Sequence, residues 1–393
     1  MKASYLLVFV SLFLVVFLPD ASAVNRRIRV VCMGDVIDQY GGFNSFVVIR
    51  TDPAIDTTLV PSRPSYLGFD RARRNMRIYM PRTYSQLKEN YDLIVMSDAD
   101  RTVFDATWVE WMARGVKEGG LGLLWLGSIA SNSFPSWEGT TITQVLPSEP
   151  SPELDVSGSF KVRIHDRGEP LMRILAWEDS PPLANLNTQI PRDAARVFAL
   201  TDSPKGYPLI TYWEIGSGRA LCFASKFPNG VAPWARDWQY FPEAMIFLAY
   251  RTGDRPLPDD VSLFSQLISD FGDFEMRNSM VVSVINFVEQ FGGRTDKLYR
   301  RLDELGLKKK AAETAYLAGD YASSLEKMRE IRGGQQALMR DAMEVKDSAM
   351  FWVYLTEWCA ITAAILISGV VLWGLMVRRR LYREVYTSRL GQT

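Results

Sequence analysis

The run from Trp358 to Val377, WCAITAAILISGVVLWGLMV, holds no charged residue. As a helix rising 1.5 Å per residue it is about 30 Å long, the thickness of a bilayer's hydrocarbon core. Arg378, Arg379 and Arg380 follow at once, with Arg383 and Arg389 beyond. Basic residues stay on the cytoplasmic side of a span. The pattern predicts one transmembrane helix over 351–377 and a cytoplasmic basic tail over 378–393. Trp352, Tyr354, Trp358 and Trp373 lie near the two ends of the run, as an aromatic belt does. Glu357 falls at the outer edge, within reach of water.

The other end of the chain is membrane-directed too. Met1-Lys2 precedes an apolar run from Tyr5 to Leu18, broken only by Ser11, and Ala21-Ser22-Ala23 follows. That is the outline of a secretory signal peptide over 1–23, cleaved after Ala23. Signal and anchor agree on a single-pass plasma-membrane protein of type I, with residues 24–350 outside the cell.

Charge and side-chain chemistry exclude several functions. Forty-five Lys and Arg balance 45 Asp and Glu, so no basic field points to nucleic acid. The only histidine, His165, precludes a multi-histidine metal site, and neither metal nor cofactor is expected. Cys32 and Cys222 fall in apolar, strand-like runs and Cys359 in the span, so no disulfide framework is predicted.

Three apolar runs end in turn residues: IRVVCM before Gly34-Asp35, DLIVMS before Asp98-Ala99-Asp100, and LGLLWL before Gly127-Ser128. Between the second and third, Phe104, Trp108, Trp111, Met112 and Val116 recur at helical spacing until Gly119-Gly120. This is a strand–helix–strand unit, so a parallel sheet covered by helices is expected. The Pro- and Ser-rich VLPSEPSPELDVSGS predicts a loop. FKVRIHD and RVFALT predict strands, YPLITYWEIGSGRALCFASKF a hairpin about Gly216-Ser217-Gly218, and YFPEAMIFLAYRTG a closing helix. Pro256 and Pro258 mark a boundary, and residues 24–258 are expected to fold alone.

Past that boundary, over 258–350, the stripes are helical. Val281, Val284, Ile285, Val288 and Phe291 share one face, and Leu298, Leu302 and Leu305 another. AAETAYLAGDYASSLEKM has the look of one tetratricopeptide-type turn, and Gly333-Gly334 is a candidate hinge in a membrane-proximal stalk.

Four segments together resemble a known family. RRNMRIYMPRTYSQLKENYDLIVMSDADRTVF, GVKEGGLGLLWLGS, FPSWEGTTITQVLP and YPLITYWEIGSGRALCFASKF fall in the order of the putative glutamine amidotransferase family, a relative of trehalose-utilisation-type proteins. The resemblance covers roughly residues 28–252. It implies a class I glutamine amidotransferase-like domain over 24–257, a flavodoxin-like three-layer α/β sandwich. Membrane-anchored, extracytoplasmic prokaryotic members are common in that family. Catalysis there needs a Cys at a sharp turn after a strand, with His and Glu late in the domain. By position the turn falls at Gly127-Ser128-Ile129 and the late loop at Ala224–Trp234; neither Cys nor His is present. The resemblance therefore implies a degenerate elbow at Gly127 and Ser128, with no catalytic residue. Ser128 acting with His165 would require a coincidence of folding.

Asp35, Asp98, Asp100 and Ser128 form a candidate ligand pocket apart from the family. Each follows the carboxyl end of a predicted parallel strand, where open α/β sheets bind ligands. Carboxylates and a hydroxyl there suit a hard cation, a sugar or another small solute; the alternative is helix capping and ion pairing, for example with Arg82 or Arg101. Trp125, Trp137, Trp177, Trp213, Trp234 and Trp238 serve either a glycan platform or the core. Three functions are compatible with these readings. One is a non-catalytic binding or scaffolding module in an envelope assembly, meeting other envelope membrane proteins through stalk and span. Another is an envelope hydrolase or amidotransferase using Ser128 or the aspartates. The third is a glycan or solute sensor.

Overall fold

The computed structural model describes residues 26–36, 45–127, 134–226, 234 and 237–389. The expected signal peptide, Ser128 and most of the Ala224–Trp234 loop lie outside them. The strands are β1 (Ile28–Gly34), β2 (Ile55–Pro61), β3 (Leu93–Ser97), β4 (Gly122–Gly127), β5 (Ser148–Phe160), β6 (Val162–Ile164), β7 (Leu183–Pro191), β8 (Arg196–Thr201), β9 (Pro208–Ile215) and β10 (Gly218–Lys226). The helices are α1 (Ser45–Thr51), α2 (Pro64–Leu67), α3 (Phe69–Tyr79), α4 (Tyr84–Asn90), α5 (Ala106–Gly119), α6 (Pro170–Ile174), α7 (Phe241–Thr252), α8 (Val261–Gln290), α9 (Asp296–Leu317) and α10 (Tyr321–Arg389).

The main sheet runs β2-β1-β3-β4-β10-β9-β8-β6. Its first five strands are parallel, and β9, β8 and β6 continue it antiparallel. A mixed α/β sheet domain followed by a long C-terminal helix is therefore the architecture. β3 and β4 are buried along their whole length, which is why they read as unbroken apolar runs. The helix between them is α5, buried on Val109, Met112, Ala113 and Val116. Asp105 caps its start, accepting from Thr107 N at 3.1 Å, and Gly120 ends it at φ 76°.

β5 corrects one expectation. The Pro- and Ser-rich stretch is a strand, paired antiparallel with β7 in a separate two-stranded sheet with two register shifts. A two-stranded ribbon is all edge, and edges tolerate the missing N–H of proline.

Two compact units partition the chain: Met1–Gly272 with Lys310–Met328, and Asp273–Lys309 with Arg329–Thr393. The packing thus differs from a boundary at 257. Within the first unit, Phe264 of α8 and Tyr316 of α9 are fully buried, and their rings lie 6.2 Å apart. Phe264 packs 5.0 Å from Phe247 and 6.2 Å from Tyr250, both on α7. The sheet domain thus includes helical segments from beyond the proline boundary because its closing helix needs them as cover.

The second unit is a helical bundle. Val281, Ile285 and Val288 of α8, Leu298 and Leu305 of α9, and Ile331, Leu338 and Ala342 of α10 are buried. Lys309 pairs with Glu275 at 2.5 Å. Arg301 pairs with Asp341, and Lys308 with Glu330. Arg301–Asp341 and Lys308–Glu330 run in opposite senses along α9 and α10, and Phe264–Tyr316 with Glu275–Lys309 do the same along α8 and α9, so α9 is antiparallel to both neighbours and α8 runs in the direction of α10. The helix α10 passes unbroken through Gly333-Gly334. A Cβ on Gly334 would stand 2.6 Å from Leu305 Cδ2, so this glycine admits a neighbouring side chain where a hinge was expected. Further along, α10 holds one stretch long and apolar enough to cross a membrane, with exposed side chains.

Candidate functional site

The carboxyl ends of β1, β2 and β3 bring two expected residues together through a third. Arg63, just past β2, donates Nη1 to Asp35 Oδ2 at 2.7 Å and also contacts the Asp98 carboxylate. The Asp98 side chain is fully buried, while those of Asp35 and Arg63 are 11% and 17% exposed. Two carboxylates therefore share one guanidinium in a poorly solvated place. Planar, permanently charged Arg suits that arrangement better than Lys. Arg63 also stacks 4.5 Å over the Tyr66 ring and donates Nε to Ser65 Oγ at 2.8 Å, which fixes the guanidinium in place.

Local backbone brings the acids there. Gly34 N donates to Ser62 Oγ at 2.8 Å, tying β1 to the segment that carries Arg63. Gly34 has φ 112°, and a Cβ would stand 1.8 Å from Ser97 O, so only glycine lets the ends of β1 and β3 approach. Asp98 takes the left-handed conformation, φ 51°, which is uncommon outside glycine but tolerated by Asp. Asp35 N donates to Ser97 O at 2.9 Å.

Asp100 does something else. Its carboxylate accepts from Thr102 N at 2.9 Å and from the Thr102 hydroxyl, capping a short 3-10 turn. Of the two arginines named as alternative partners, Arg101 donates Nη1 to Phe104 O at 3.1 Å. Arg82 donates its backbone N to Gln86 Oε1 at 2.9 Å. Ser128, the fourth residue of the expected pocket, lies outside the described residues.

Gly127, the last residue of β4, is closely packed. A Cβ on Gly127 would stand 2.5 Å from Asn187 Oδ1 and 2.8 Å from the Ser225 carbonyl carbon. Asn187 belongs to β7, whose ribbon packs on β10, and Ser225 Oγ donates to Asn185 O at 2.6 Å. Neither sulfur in the sheet offers a nucleophile. Cys32 and Cys222 are buried, and desolvation pushes both thiols far above their usual range, against the thiolate that attack requires. His165 lies just past β6, its N donating to Phe198 O at 2.9 Å.

Of the six tryptophans, Trp125, Trp137, Trp177, Trp234 and Trp238 are core, while Trp213 is half-buried with the Arg192 guanidinium 5.7 Å from its ring. Trp137, Trp177 and Trp234 are fully buried. Trp137 donates Nε1 to Ala99 O at 3.2 Å and meets Phe104 and Trp125 edge-on at 5.1 and 5.3 Å. An exposed aromatic platform would need the opposite.

Sequence reading missed the decisive residue, Arg63, because it missed β2. That strand is an edge strand carrying Asp56, Thr57 and Thr58, so no apolar run announces it. The signal that was available is Pro61-Ser62-Arg63-Pro64, turn residues flanking a lone cation.

A cavity of about 440 Å³, lined by Arg255, Pro258, Asp260, Leu263, Asp320 and Tyr321, lies elsewhere in this unit. Arg255 Nη1 donates to Arg26 O at 3.0 Å, which puts this cavity toward the amino-terminal end of β1, away from the aspartates.

No family model and no curated protein matches the chain. Solved structures do. One is a cytoplasmic protein from Salmonella typhimurium LT2, 18% identical, covering 57% of this chain and 99% of that one with a TM-score of 0.45. A second Salmonella typhimurium cytoplasmic protein is 19% identical over 57% and 98%, TM-score 0.44. A ThuA-like protein from Bacteroides uniformis ATCC 8492 is 11% identical over 58% and 91%, TM-score 0.34. Likeness at this level concerns a mixed α/β fold alone, and the trehalose-utilisation type is among the proteins met.

Proposed function

We propose that this chain is a non-catalytic, membrane-anchored binding or scaffolding module of a prokaryotic cell envelope, with a degenerate amidotransferase-like, flavodoxin-like domain outside the cell. The observation that carries the reading is the sharing of Arg63 by Asp35 and Asp98. The acids that would hold a cation or activate a hydroxyl already have a fixed counter-ion within the chain. The Gly127 end, against Asn187, leaves no room for a larger residue at the strand terminus. Elbow chemistry also needs a nucleophile that can be deprotonated and a base to do it. The nearby thiols are buried and Ser128 has no neighbouring histidine in the sequence.

The span in α10 and the arginines at 378–380 support type I topology in the plasma membrane. Protease added to intact spheroplasts is expected to digest residues 24–350 and spare the tail. Protection of the large domain refutes the topology. Purified ectodomain is expected to show no glutaminase or esterase turnover above buffer, and Ser128→Ala to leave cellular function intact. Fold-dependent labelling of Ser128 by a fluorophosphonate decides instead for an envelope hydrolase.

A further inference from the structure

On α8, Met276, Met280 and Phe287 are 53%, 50% and 37% exposed, and Phe291, one residue past the helix, is 41% exposed. At 100° per residue the four positions fall within an arc of about 60°, beside the buried face of Val281, Ile285 and Val288. They form one stripe about 22 Å long. The Phe287 and Phe291 rings lie 4.8 Å apart. We propose that this stripe pairs in parallel with the same stripe on a second copy of this chain, deepening the scaffolding reading and resting on its membrane anchor.

Charge and direction favour a second copy. In a parallel two-fold pair each residue near the axis meets its own equivalent, so a charged border repels itself. One border here is Ser279, Ser283 and Asn286, and both serine hydroxyls donate to carbonyls four residues back. The other border is Arg277, held by Asp273 of the same helix at 3.4 Å. Neither border presents an uncompensated charge. Direction fits as well, because α8 runs the same way as α10, which continues into the span. Two chains anchored in one bilayer and related by an axis along its normal keep both their spans and their α8 helices parallel.

Area explains why the anchor matters. Four half-exposed large side chains offer roughly 400 Å² per copy, about half of the ~800 Å² per partner in stable interfaces between free proteins. Confinement to one membrane raises the effective concentration and makes up the deficit.

The test uses the full chain in native membranes with Cys359→Ser, leaving only buried Cys32 and Cys222. Single cysteines replace Met280 or Phe287 on the stripe, and Asn278 or Glu289 off it. Mild oxidation is expected to link Met280→Cys and Phe287→Cys copies at least tenfold more than the other two. Because Met280 is exposed, Met280→Glu leaves the fold intact, and it is expected to cut linkage through Phe287→Cys about tenfold. Equal linkage at all four positions, no linkage, linkage to a different protein, or lipid shielding of Met280→Cys from a water-soluble maleimide overturns the pairing. A membrane-bound chain that never links refutes the pairing alone. A chain in the soluble fraction refutes the anchor reading instead.

Discussion

Asp98 and Asp52 are both 1% exposed, yet the fold surrounds them with different partners. Asp98, at the carboxyl end of β3, lies against Arg63. Asp52, just past α1, accepts hydrogen bonds: from the Tyr250 hydroxyl at 2.5 Å and from Ala54 N at 2.7 Å. Tyr250 in turn lies 3.2 Å from the Tyr316 hydroxyl. Desolvation raises the Asp52 carboxyl above its ordinary range, and burial raises Tyr250 and Tyr316 as well. The contrast teaches that burial is answered differently at the two acids: Asp98 has a guanidinium against its carboxylate, whereas at Asp52 desolvation outweighs the hydroxyls, the Ala54 N–H and the Arg255 charge that favour the ionised form. The first depends on charge pairing at the strand ends, the second on packing by helices from later in the chain.

The harshest way to break this comparison is to remove the cover over Asp52. A chain of residues 24–258 lacks Phe264 and Tyr316, and burial of each is worth about 1.5–3 kcal/mol. A loss of roughly 3–6 kcal/mol is a large share of a domain's stability. Thermal unfolding of this fragment is expected well below that of residues 24–350, and equal midpoints would show that the sheet domain stands alone.

The next effect is at the other acid. Asp98→Asn takes the charge from a buried pair while Arg63 keeps Asp35, so about 1–3 kcal/mol is expected to be lost. A denaturant midpoint shift at constant slope measures it. No shift would mean that the Arg63 contact contributes nothing to stability.

The same substitution at Asp52 sharpens the contrast, because its sign is expected to reverse. The folded chain binds the Asp52 proton more tightly than the unfolded chain. That contribution is whole below the unfolded value near 4 and is lost as pH rises through the raised one. Asp52→Asn removes this loss, and a gain of up to about 1 kcal/mol at neutral pH is expected with a flatter stability profile above pH 4. Destabilisation at pH 7 comparable to that of Asp98→Asn would erase the distinction.

The smallest effect belongs to the third aspartate. Asp100→Ala removes a cap on one exposed 3-10 turn and is expected to cost about 0.5–1 kcal/mol, with Asp100→Ser restoring most of it. A loss matching that of Asp98→Asn would place Asp100 in the ion-pair cluster.

Much of the fold was legible because its signals are local. β3, α5 and β4 announce themselves by apolar runs, helical spacing and the Gly119-Gly120 stop. The β9–β10 hairpin shows in Gly216, whose φ of 60° the turn requires. Asp35 and Asp98 were legible as strand-end residues for the same reason. Arg63 was not, because its role arises from parallel pairing across β2, β1 and β3. Composition misled at β5, where prolines on an edge strand read as loop, and at Gly334, where close packing read as a hinge.

What the sequence by itself determined is what depends on composition and short spacing: a mixed α/β domain, the central strands and an apolar helix long enough to cross a membrane. Hydrophobic period and turn chemistry act over a few residues, so the chain states them directly. Only the tertiary structure decided how the acids are used. Asp35 and Asp98 meet one guanidinium, Asp100 caps a turn, and Asp52 is enclosed by tyrosines 198 and more residues away in the chain. Those outcomes depend on which surfaces exclude water together, and desolvation is a property of the packed molecule that no single segment carries.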